Sequence, residues 1–454
     1  MGRQIDRLAA FVAETRWADI PPDVQAHARL VLLDTIGVIL AGSQRPEVVA
    51  LRAAMAPGAG RGATLYARGG PQTDPRNAAL LNGIAGRAIE LCEGLRLVSG
   101  QAAAQVLPAA LAMAEACDRS GEDLITAFVL GYDAAARLCH AFTPHPLAHQ
   151  NGQACLIAAA AAGARLRGLD AAGVSLAMRI AASLVLTPSY TNVVAGATAL
   201  NVPGGMSGFA GALAPELAAS GFVAQDNAIE EALSQLVGTG FRPEGVDADL
   251  GGMWHITRNY FRLYACCNPI HPALDALSDV LRQLQPQPEQ IDRIEFATYR
   301  FAAVMRNPAP PNFFASKYSL PHAAAVMAVR GGAGHAELDD TALTDPRVVA
   351  LRPRVHVTED VAMTELVPAL RPARATVWLT DGRHATHIVQ SHRGDFHHPF
   401  AESELRHKFR ALAGEVLSAE DVAAVEQTVG KCQDLDRARL LADIVSRGAG
   451  ALQG

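Results

Sequence analysis

Apolar residues recur at helical spacing through the first half of the chain. After Pro21-Pro22-Asp23, one stripe runs through Val24, Ala28, Val31, Leu32, Ile36 and Leu40. Proline at the first turn starts this helix and Gly42-Ser43 stops it. The same spacing predicts helices over 77–91, 102–116, 123–139, 151–166, 171–184 and 206–219. Short breaks separate them. In Arg167-Gly168-Leu169-Asp170, glycine ends one helix and aspartate caps the next. Beyond Pro269 the period falls to two. Residues 291–297, 375–379 and 384–390 alternate as strands do, and Asp381-Gly382 is a hairpin signal. Helical spacing lies between these strands at 318–329 and 345–351, and returns at 402–412, 419–429 and 436–445. The pattern predicts a mainly α protein. An all-helical domain spans 1–268, a smaller α+β domain spans 269–395, and C-terminal helices over 396–454 pack back on the first domain. A cleft between the two domains is the expected ligand site.

Composition narrows the class. With 454 residues the chain exceeds what one core serves, so two domains fit its length. Half of it is apolar and 19% is charged, a folded rather than a disordered balance. The net charge of −6, with no basic run, argues against a nucleic-acid partner. Seven cysteines show no CxxC spacing, so they read as reduced and buried, as in a cytoplasmic protein. The apolar runs 30–41 and 154–164 are too short to span a bilayer, and no apolar signal core opens the sequence. No membrane partner is expected.

Six stretches, in order, resemble one family. They are Leu33-Asp34-Thr35-Ile36-Gly37, then Leu107-Pro108-Ala109-Ala110-Leu111-Ala112 with Gly131-Tyr132, and the alanine-rich 158–170. Tyr264-Ala265-Cys266-Cys267 leading to His271-Pro272-Ala273, Lys317-Tyr318-Ser319-Leu320-Pro321, and Arg393-Gly394-Asp395 with Lys408-Phe409 complete the set. Together they resemble the MmgE/PrpD family, whose activities include 2-methylcitrate dehydration, cis-aconitate decarboxylation and iminodisuccinate epimerisation. The resemblance implies a large helical domain with a smaller α+β lid inserted before the C-terminal helices. It also implies a homodimer, a small-molecule substrate, and no metal or organic cofactor. The implied chemistry is that of a lyase or isomerase working at a carbon next to a carboxylate, which needs a positioned acid or base and cations where charge develops.

The family's charged positions are partly replaced. Its acidic segment falls on Glu90 and Glu93, its first histidine becomes Leu95, and its HPG becomes Gln101-Ala102-Ala103. Its central lysine falls near Leu200 or Asn201, and a second lysine becomes Arg262. Two family histidines correspond to His149, with His145 as the alternative, and to His271. These two are the candidate acid and base. Arg262, Gln101, Glu90, Glu93, Tyr318 and His322 are the candidate substrate contacts. Arg262 suits a carboxylate clamp. Glu90 and Glu93, three apart, would share a helix face, where solvated charges are the plain alternative. For His271 the alternative is a helix cap, and for His149 an exposed loop. Thr187–Asn192 could line the pocket or form a turn.

Fewer cations in the pocket suggest a substrate other than the usual tricarboxylate. A lapsed enzyme retained as a binding or regulatory protein is the alternative. A metal-dependent hydrolase using the histidines of the α+β lid is a third.

Overall fold

Small residues set how closely the helices pack. The computed structural model describes residues 2–55 and 62–447. Within it, α1 (Arg3–Glu14) and α2 (Pro22–Gly42) are followed by α3 (Pro75–Ala88), α4 (Ala102–Ala116) and α5 (Gly121–Ala141). Next come α6 (Ala154–Arg167), α7 (Ala171–Ala182) and α8 (Val202–Ala219). The alanine-rich α6 is central, packing against α4, α5, α7 and α8. At Gly163 an added Cβ would sit 2.0 Å from the Gly211 carbonyl oxygen of α8. Only hydrogen fits there, so backbone meets backbone. Predicted punctuation holds at two ends: Gly168 closes α6 with φ 84°, and the Asp170 side chain accepts from the Gly173 N–H to cap α7.

Among the described residues, three two-stranded ladders and one four-stranded sheet accompany these helices. β1 (Gly94–Leu95) pairs antiparallel with β2 (Asn259–Tyr260). After α9 (His271–Leu284), the strands β3 (Ile291–Thr298), β4 (Val355–Glu359), β5 (Ala373–Leu379) and β6 (His384–Val389) form a sheet ordered β6-β5-β3-β4. Only the β3–β4 pair is parallel; Phe296 stands opposite Val357 on one side and Ala375 on the other. Ala373, Ala375, Val377 and Leu379 of β5 are buried, and α9 packs against β5 and β6. α10 (Leu320–Arg330) adds to this second core. The hairpin at Asp381-Gly382 is present, with Gly382 at φ 88°.

The chain ends in α11 (Glu402–Ala413), α12 (Ala419–Gly430) and α13 (Arg439–Ser446). α11 lies along α2, where Lys408 Nζ stands 2.6 Å from the buried Asp34 carboxylate. Residues 448–454 of the expected C-terminal segment lie outside the described residues. α2 is long and apolar enough to span a membrane by composition, but 72% of its apolar window is buried among the other helices. The architecture is mainly α.

Candidate active site

The link between α3 and α4 forms one side of the site. α3 stops at Ala88, and Glu90 takes a left-handed backbone with φ 52°. The chain then enters β1. Glu90 and Glu93 therefore do not share a helix face, as their spacing suggests. The turn sends them to different partners.

Glu90 is clamped by two guanidiniums. Arg262 Nη1 donates to its Oε1 at 2.6 Å and to its carbonyl at 3.0 Å, and Arg87 Nη2 donates to its Oε2 at 3.0 Å. Burial pushes this carboxyl upward, but Arg87 and Arg262 outweigh it and hold the pKa at about 2. Glu93 accepts from the Ala103 N–H, the Tyr132 hydroxyl and the Asn259 amide. None of these donors is charged, so burial dominates and its pKa rises to about 7.

A cavity of about 280 Å³ opens beside this clamp. The N-terminal helices and their links contribute Arg87, Glu90, Gln101, His149 and Tyr190. Tyr260, Arg262, Asn268 and Pro269 form a second wall, and Tyr299, Tyr318 and Arg371 a third. Five of the candidate residues thus converge: His149, Arg262, Gln101, Glu90 and Tyr318. Glu93, His271 and His322 do not line the cavity. Glu93 braces the β1 link from behind. His322 is buried beside Arg352 in the second core. His271 is 1% exposed and gives its Nε2–H to the Cys266 carbonyl at 3.1 Å. It packs edge-on against Tyr264 and His392. Of the apolar replacements expected in the pocket, Leu95 lines it and Leu200 and Ala102 do not. His145 is exposed.

His149 is 5% exposed and stacks on Tyr190, with ring centroids 5.9 Å apart. Burial first, and then Arg87, lowers its pKa to about 3, so the ring is neutral at pH 7. Its Nδ1 accepts from the Asn151 N–H at 3.2 Å. The single ring hydrogen therefore sits on Nε2, and His149 offers a donor rather than a base. The Tyr190 hydroxyl is buried without a hydrogen-bond partner, and so are Nε of Arg87, Nε of Arg262 and Oε1 of Gln101. Unpaired buried groups at one cavity mark a site made for a polar ligand.

Motif reasoning misses Arg87, Arg371 and the chain of contacts that positions Arg371. Arg371 Nη1 donates to Asn268 Oδ1 at 2.7 Å, and Asn268 Nδ2 donates to His392 Nε2 at 2.8 Å. His392 Nδ1 in turn donates to the Arg393 carbonyl at 2.7 Å. The expectation of a cation-poor pocket is corrected here, because Arg87 and Arg371 enter from elsewhere in the chain. Tyr190, in the polar 187–192 tract read as pocket lining or turn, lines the cavity. Among the described residues, no three His, Cys, Asp or Glu gather where they could hold a metal ion.

Residues 6–239 match the MmgE/PrpD N-terminal domain, and residues 264–434 match the MmgE/PrpD C-terminal domain. The chain belongs to the MmgE/PrpD family. Among MmgE/PrpD relatives, a cis-aconitate decarboxylase of Aspergillus terreus is 26% identical, covering 90% of this chain and 89% of its own. The cis-aconitate decarboxylase-like protein oryM of Aspergillus oryzae is 25% identical over 94% of each chain. The human cis-aconitate decarboxylase is 23% identical, covering 92% of this chain and 89% of its own. Membership and these relatives support an enzyme of the lyase type.

Proposed function

We propose that this MmgE/PrpD chain is a decarboxylating lyase acting on a small acid with more than one carboxylate. One observation carries the reading. Among the described residues lining the cavity, the only carboxylate is Glu90, and two arginines hold it ionised and paired. With His149 neutral and donating, the cavity is rich in cations and donors and poor in bases. Dehydration and epimerisation begin by removing a proton from carbon, which needs a base. Decarboxylation begins by breaking a C–C bond, so it needs only stabilisation of the carbanion and a later proton.

The steps follow from the lining. Arg371 and the free Nε groups of Arg87 and Arg262 bind carboxylates that remain on the substrate. The departing carboxylate leaves as carbon dioxide, and its bonding electrons stay on carbon, delocalised toward a neighbouring carboxylate. The His149 Nε2–H donates to that developing charge. Tyr190 supplies the proton to carbon, and water restores it. Burial holds the tyrosine proton tightly, yet a phenol is still a far stronger acid than the C–H bond formed when the carbanion takes its proton. Overall one proton replaces one carbon dioxide. In this reading the sheet-bearing part acts as a lid, contributing Tyr299, Tyr318 and Arg371.

The test is carbon dioxide release from a panel of di- and tricarboxylates, cis-aconitate among them, run in deuterated water. The expected result is release with one deuterium in the product. Replacing His149 by glutamine should lower kcat/KM on the order of 100-fold. Deuterium entering recovered substrate without carbon dioxide release would replace this reading with a base-driven one. A folded protein that binds an acid and turns over none of the panel would support the binding-protein alternative.

A further inference from the structure

A second, smaller cavity of about 180 Å³ lies on the far side of the 95–97 segment. It is lined by Leu95, Arg96, Leu97, His140, Met253, His255 and Arg258, and no carboxylate is among these. Leu95 and Leu97 line both cavities. The two imidazoles face each other with centroids 5.1 Å apart.

The charges around it are not balanced equally. Arg96 is paired with Asp395 and donates to the carbonyls of Pro368 and Ala369, so its charge is spent. Arg137, nearby, is paired with Asp133. Arg242 donates to the His140 carbonyl and leaves the imidazole untouched. Arg258 is exposed, and no ion pair or side-chain hydrogen bond holds it among the described residues. The rings of His140 and His255 are likewise without hydrogen-bond partners there. Burial first, and then the neighbouring cations, lowers both imidazoles to about 4. Three basic side chains thus share one concave space with no anion to meet them.

We infer that this cavity is a binding site for a small oxyanion of phosphate size, held by Arg258, His140 and His255. Arg258 supplies the fixed charge and a guanidinium fork suited to an oxyanion. The imidazoles supply ring N–H donors from the opposite wall. The site also touches the main cavity through the chain itself. Arg258 leads directly into β2, where Asn259 pairs with Leu95 and Tyr260 lines the larger cavity. An anion seated here would lie against the wall that separates the two spaces.

Calorimetric titration of the full chain with inorganic phosphate, against chloride at matched ionic strength, tests the inference. Saturable binding of one phosphate is expected for the parent protein and for Arg371→Met, whose guanidinium lines the main cavity and meets the 95–97 segment only at the Arg96 carbonyl. Arg258→Met and His255→Gln should each weaken it on the order of tenfold. Arg258 is exposed, so its variant keeps the fold, and unchanged far-UV dichroism verifies this. Loss of phosphate binding in Arg371→Met with retention in Arg258→Met would overturn the inference, since the anion would then sit in the main cavity. So would the absence of any saturable binding at millimolar phosphate.

Discussion

Glu90 and Glu93 show how two like residues, three positions apart, acquire opposite titration behaviour. Glu90 is stabilised as an anion, and its contribution is present above its ordinary pKa and lost as pH falls toward about 2. Glu93 is the reverse. Its folded pKa of about 7 lies above the unfolded value of 4.5, so the folded state binds the proton more tightly. Its contribution to stability is fully present below pH 4.5 and is lost as pH rises toward 7. The shift corresponds to a loss on the order of 3 kcal/mol. Glu115, buried against Thr64 and also raised to about 7, acts in the same window. Replacing Glu93 by glutamine should therefore flatten the fall in unfolding free energy between pH 5 and pH 8. Urea titrations at both pH values measure this, and an unchanged slope in the variant would assign the fall elsewhere. The sequence exposes both acids but not their difference. That difference depends on Arg262, which arrives 172 positions later in the chain.

At the scale of elements, legibility follows the length of the pattern. The long helices are readable because each presents several turns of apolar spacing between Gly, Asp or Pro breaks. The expected 102–116 helix coincides with α4. The 77–91 helix does not, since α3 ends at Ala88; its last apolar residues are buried in a turn that mimics helical spacing. The strands β1, β2 and β4 escape detection. The first two are two residues each, too few to establish a period of two, and β4 alternates only over Val355-His356-Val357 before ending in Thr358-Glu359. Helix-to-helix distance is more readable, because it rests on glycine. Gly163→Ala places a methyl group where the Gly211 carbonyl stands, and α6 and α8 must separate. A loss of about 3 kcal/mol or more follows, seen as a lowered thermal midpoint. Gly221→Ala, where nothing lies within 4 Å of the new Cβ but φ is 89°, provides a strain-only comparison. Equal losses in the two variants would remove close packing as the cause.

At the scale of the molecule, the site is assembled from distant stretches. Its arginines come from positions 87, 262 and 371, and no local pattern links them. The C-terminal helices enter through one buried charge. Besides pairing with Asp34, Lys408 Nζ donates to the Leu91 carbonyl at 2.9 Å, one residue beyond Glu90. Lys408→Met strands the Asp34 carboxylate in the core and should cost about 3–5 kcal/mol. Adding Asp34→Leu should recover most of that, and a double-mutant cycle in urea measures the coupling; simple additivity would show that the pair does not hold α11 in place.

Lys408 also has a meaning in time. A ribosome releases the helices around Asp34 and the turn at Glu90 more than three hundred residues before it supplies this ammonium group. Until then the nascent chain carries this carboxylate without its ion-pair partner, inside a long apolar helix. The turn that shapes the cavity lacks its anchor over the same interval. The cavity is thus among the last features of the protein to be finished during synthesis, and a chain halted before position 408 is left without the contact that completes it.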